Sequence, residues 1–130
     1  MKIKLDASNE KHRAVASCFV GCEVEYPYNS VAHLTGIYKG KYLLSEYKDF
    51  EDDVDTYWLR TTITLDLTRC QPCIYACMRE GLKVEVRFDG ATRQYDFSRN
   101  GKLELISYVD RIQSIRTLGL EKMEGVEVEE

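Results

Sequence analysis

The chain has 130 residues, of which 44% are hydrophobic and 31% charged, a composition that excludes a disordered chain and fits one globular domain. Its longest uncharged apolar stretch, Ala14 to Cys22, is far too short to span a bilayer. The net charge of −4 lies between Gly119 and Glu130, so the rest of the chain is neutral and offers no basic run for a nucleic-acid backbone.

The opening residues, Met1 to Asp6, contain no apolar core and no small-residue cleavage site, which points to a cytoplasmic protein. A short helix or turn is expected over 8–13, then a strand from Val15. Val31 to Tyr38 and Lys41 to Tyr47 read as a β-hairpin closed by Lys39-Gly40, with Gly40 supplying a positive φ. In that register Ile37 faces Tyr42, Thr35 faces Leu44 and His33 faces Glu46. An acidic loop follows over 49–55 and includes Asp52, Asp53 and Asp55. It lacks the glycine and ligand spacing of a calcium loop and reads as a solvated, partner-facing segment.

Tyr57, Leu59, Thr61, Ile63, Leu65 and Leu67 alternate with Arg60, Thr62, Thr64 and Asp66, predicting one strand with a wet face. A short Cys-rich helix is expected over roughly 71–80, starting near Cys70, with Pro72 in its first turn and Gly81 stopping it. The second hairpin has the clearer signal. Leu82, Val84, Val86 and Phe88 alternate with charges up to Asp89-Gly90, a preferred type I′ turn. Closing it there pairs Phe88 with Ala91, Val84 with Tyr95, Leu82 with Phe97 and Lys83 with Asp96. Leu105, Ile106, Val109 and Ile112 then fall on one helical stripe, predicting an amphipathic helix over 102–118.

The fold class expected is therefore α+β. An antiparallel sheet of two β-hairpins and further strands is covered by the C-terminal amphipathic helix and the short Cys-rich helix. One domain spans 1–120, and an acidic, flexible tail spans 121–130.

Five cysteines are an odd number, which disfavours a complete disulfide framework. Cys70-Gln71-Pro72-Cys73 resembles the thioredoxin-like motif in its place after a strand and before a helix. No later proline supplies the cis residue such enzymes set beside the motif, and the element order differs. The alternative thiol site is thus a redox or structural zinc centre on Cys70, Cys73 and Cys77, with Cys18 and Cys22 able to join only if their stretch is turned. Set against it is a core role, with these thiols packing as small hydrophobes and no cofactor bound.

His12 and His33 stand in unrelated contexts, and no nucleophile elbow, phosphate-cradling glycine loop or H-E-x-x-H occurs. The reading leans away from an enzyme. Nine tyrosines are the remaining surplus. Tyr38 and Tyr47, beside Leu34 and Leu43, share the hairpin face opposite Ile37, and this face is the expected surface for a protein partner or a second copy. A small-molecule ligand stays open.

Leu34-Thr35-Gly36-Ile37, then Leu59-Arg60 and Leu65-x-x-Thr68 before a helix, resemble small uncharacterised proteins of bacteriophages and integrated mobile elements, over roughly residues 31–80. The resemblance implies an accessory protein in a bacterial cytoplasm that occupies a host defence protein or sequesters its ligand.

Overall fold

The computed structural model describes residues 1–28, 30–47, 54–99 and 102–129. In chain order the elements are β1 (Lys2–Asp6), α1 (Glu10–Ser17), β2 (Glu23–Tyr26), β3 (Ser30–Tyr38), β4 (Lys41–Tyr47), β5 (Val54–Arg60), β6 (Thr62–Asp66), α2 (Ile74–Arg79), β7 (Lys83–Phe88), β8 (Ala91–Asp96), α3 (Lys102–Ile106), β9 (Ile112–Leu118) and β10 (Glu127–Glu129). Seven strands form one sheet in the order β10-β1-β6-β2-β3-β4-β5, and three form another in the order β8-β7-β9. All observed strand pairs are antiparallel.

The molecule is mostly β, which corrects the α+β expectation. The long C-terminal helix does not form. Helix α3 stops at Ile106, a 3-10 turn spans Val109–Arg111, and the chain continues as strand β9 along β7. The helical stripe fails because its members do not face one surface: Leu105 is fully buried, while Ile106 is 48% exposed. Beyond it, the β-branched Ile115 and Thr117 are buried with exposed Arg116 between them, a period of two that suits the open edge of β7.

The predicted strand over 57–67 is also divided. Between β5 and β6 lies only Thr61, yet β2, β3 and β4 stand between them in the sheet. In a flat sheet they would be roughly 19 Å apart, which one residue cannot bridge, so the sheet rolls until its β5 edge returns to β6. The inward face switches at this corner. Trp58 packs against the core from an even position, opposite Leu44, whereas Ile63 and Leu65 are buried from odd ones. At the corner, the Thr61 carbonyl accepts the Ala7 N–H at 2.7 Å.

Helix α1 replaces the strand expected from Val15. The side chain of Asn9 caps it, accepting from the Lys11 and His12 N–H groups, and His12, Val15 and Ala16 form its buried stripe. The chain then turns through Cys18–Cys22, placing Phe19 fully inside the core. Helix α2 begins at Ile74, later than expected, because the Cys73 N–H is bonded to the Cys18 carbonyl at 2.7 Å and Cys73 stays extended. Pro72 therefore lies ahead of the helix, and Gly81 follows it at φ +66° as foreseen. From the acidic tail, Glu127–Glu129 lies along β1 with Lys2 opposite Glu129 and Lys4 opposite Glu127.

Three strands end in the same way. Asp6, Asp66 and Asp96 close β1, β6 and β8, and each carboxylate accepts both the N–H and the hydroxyl of the residue two further on, Ser8, Thr68 and Ser98. Each aspartate carbonyl also accepts the N–H three residues on at 3.0 Å. The carboxylate hydrogen bonds hold all three groups below the ordinary aspartate value of 3.8. Their contribution to stability is therefore present above that value and is lost as pH falls through the lower values of the folded state. Solvent keeps each share modest. Thermal melts from about pH 5 downward should lose Tm less steeply in the triple Asp→Asn variant, which keeps the acceptor oxygens but cannot titrate. An unchanged acid slope would rule these turns out as its source.

Candidate functional site

The outer face of β3, β4 and β5 is where the tyrosine-bearing hairpin sits. Its turn is as expected, with Lys39 and Gly40 at φ +52° and +72° and Ile37 opposite Tyr42. Beyond Gly36 the register slips by one residue. Thr35 is an inserted residue in a β-bulge, so Leu34 faces Leu44 and His33 faces Ser45, which corrects both expected pairs. The slip turns Leu34 to the core, where it is 0% exposed, and removes it from the expected contact surface. The Thr35 hydroxyl and the buried Ser45 hydroxyl are 2.8 Å apart, fixing the bulge.

The outward residues form a small grid. Tyr38 stands opposite Lys41 and Gly36 opposite Leu43, which faces Leu59 across β5, while the buried Ser45 lies between His33 and Tyr57. Tyr38 is 53% exposed and Tyr57 56%, with Leu43 and Leu59 half-buried between them. Gly36 has no side chain to fill its place beside Leu43, and even an added Cβ there would meet nothing within 4 Å. Val31, also exposed, extends the patch along β3. Alternation does not reveal Tyr57 and Leu59, because the 57–67 segment reads as a single strand with Leu59 on its buried side, nor Val31, which reaches this face only through the bulge at Thr35. Tyr47 ends β4, with its side chain outside the described residues. Asp52 and Asp53 lie outside the described residues, as does the side chain of Asp55, which belongs to β5.

The thiols pair in a way no local motif announces. Cys18 lies beside Cys77, and Cys22 beside Cys70. Two short segments, one after α1 and one before and within α2, are thereby held together at two points. Cys70, Cys73 and Cys77 do not come together as a threesome: Cys73 is exposed, Cys77 fully buried and Cys70 half-buried against β2. All five are free thiols. Among the described residues no group of three or more His, Cys, Asp or Glu is placed to hold a metal ion.

Within the more accessible pair, the hydrogen bond from the Cys70 thiol draws Cys22 down to about 7, and Cys70 is correspondingly pushed up by bonding to Cys22 and by burial. Cys77 is likewise held as a thiol by its bond to Cys18 and by burial. Joining Cys22 to Cys70 would require an outside two-electron oxidant to take both thiol protons and two electrons.

His12 is buried, with both ring nitrogens engaged. Its Nδ1 accepts the Asp6 N–H at 2.9 Å, and its Nε2 donates to the Glu124 carbonyl at 3.1 Å, fixing the tautomer. The ring ties α1 to the end of β1 and to the segment before β10. No helix among the described residues is long and apolar enough to cross a membrane. Compared with known proteins, the chain matches no family model, no curated protein and no solved structure.

Proposed function

We propose that this chain is a binding protein, not an enzyme, which engages a protein partner through the outer face of β3, β4 and β5. The observation that supports the reading is the placement of Tyr38, Tyr57 and Val31, all exposed, around half-buried Leu43 and Leu59 and the gap at Gly36. Tyrosine joins a broad apolar face to a polar tip, and such side chains around a small apolar centre are what protein interfaces favour. The face is also rigid, because strand pairing on both sides of β4 and the bulge at Thr35 hold its side chains in place.

The accessory role in a bacterial cytoplasm, occupying a host protein or keeping a ligand from it, belongs to the same proposal and rests on the resemblance of residues 31–80. A photoreactive phenylalanine analogue in place of Tyr57 tests the interface. It should give one dominant crosslinked product in cells, whose mass reports either a second copy or another protein. The same analogue at Arg99, which is exposed on the turn after β8, should give only background. Indistinguishable background from both positions would remove the proposal.

A further inference from the structure

Three arginines distant in sequence, Arg69, Arg87 and Arg116, line one open cleft of about 490 Å³. The fold explains why they meet. Arg87 lies on β7, the central strand of the three-stranded sheet, directly opposite Thr92 on β8 and Ser114 on β9. Directly opposed residues have Cβ atoms roughly 4.5–5.5 Å apart, so the Arg87 guanidinium rises from between two hydroxyls. Arg116 stands two residues further along β9, opposite Glu85. Arg69 arrives from the other wall, on the turn after β6 that Asp66 and Thr68 close.

The charges do not cancel. Glu85 is the one carboxylate in the lining, and it pairs with Arg116 at 3.1 Å. Arg69 pairs at 3.5 Å with Glu23, which lies outside the cleft. A protein with a net charge of −4 thus brings three arginines, Arg87 without an acidic partner among the described residues, and the hydroxyls of Thr92 and Ser114 to one concavity. Leu67 and Ile115 add apolar surface beside them.

We propose that this cleft binds a phosphate group, free or as the monoester of a small molecule. A carboxylate is matched by a single guanidinium fork, whereas a tetrahedral dianion presents enough oxygens to use several arginines and both hydroxyls. The volume falls in the range of small-molecule sites, roughly 300–1,000 Å³, which leaves room for the body of an ester. The donors surround one concavity and do not form a stripe, so the site is suited to a small ligand and not to a polymer backbone.

Titration calorimetry of the full chain at low salt with inorganic phosphate, adenosine 5′-monophosphate and glucose 6-phosphate tests this, with acetate as the comparison anion. At least one phosphate probe should bind where acetate does not, and added sodium chloride should weaken it. Tighter binding of an ester assigns a phosphorylated small molecule, and equal or tighter binding of inorganic phosphate assigns the free anion. Arg87→Gln should weaken binding by roughly tenfold or more, the range for a lost bond to a charged group, with an unchanged melting temperature because the side chain is exposed. Arg116→Gln is the second variant, and Arg99→Gln should bind like the parent protein. No binding by any phosphate probe, equal binding of acetate, or full affinity in both cleft variants overturns the proposal.

Discussion

Leu34→Ala is expected to destabilise the protein by about 2–5 kcal/mol, the range for truncating a fully buried leucine. The strict alternation of the hairpin places Leu34 outside, next to Tyr38, where truncation would be almost neutral. The bulge at Thr35 places it inside, opposite Leu44 and 0% exposed. Leu43→Ala, on the outer face and half-buried, should cost clearly less, since roughly 25 cal/mol follows each Å² of apolar surface removed from water. Urea unfolding of the two variants measures the difference. Equal small losses would return Leu34 to the surface and remove the slip in register.

A still larger loss, about 3–5 kcal/mol, is expected for Phe19→Ala. Phe19 lies in no helix or strand. It sits in the turn between α1 and β2, with its N–H bonded to the Ala16 carbonyl and its carbonyl accepting the Cys22 N–H, yet it is among the largest fully buried side chains. The Cys18 and Cys77 thiols belong to the same buried cluster. Neighbours held by these backbone bonds cannot close readily over the space a ring leaves, which puts the site at the costly end of the range. A loss below about 1 kcal/mol would show that the turn is not packed in this way.

Where a turn type fixes the chain, the sequence was enough to place it. Asp89-Gly90 adopts φ +48° and +76°, and the expected pairs of Phe88 with Ala91, Val84 with Tyr95 and Lys83 with Asp96 follow from that turn, with the Phe97 N–H bonded to the Leu82 carbonyl just beyond them. The first hairpin is legible only as far as Gly36, because alternation carries no mark of an inserted residue. The glycine within the strand was the available signal. Thr61 gave none: both halves of the 57–67 segment look like strand, and the corner exists because β6 pairs with β1 and β2 while β5 pairs with β4.

The stripe Leu105, Ile106, Val109 and Ile112 shows the opposite failure, a genuine period overridden by the open edge of β7. Nor could spacing within one segment reveal the cysteine pairs or the three arginines, since their partners come from separate elements. The face proposed for partner binding was half legible. Tyr38 and Leu43 could be placed on it from the hairpin alone, whereas Tyr57 and Leu59 required knowing that β5 adds to β4.

The central claim is that the outer face of β3, β4 and β5 holds a protein partner. Its most direct measurement combines the photoreactive analogue at position 57 with Tyr38→Ser, which leaves the crosslinker in place and removes only a neighbouring contact on the same face. Tyr38 is exposed, so the melting temperature should not change. The account predicts that the single crosslinked product formed by the parent protein falls sharply in the Tyr38→Ser variant. A product of unchanged yield, or a spread of products equal to that from position 99, would contradict it.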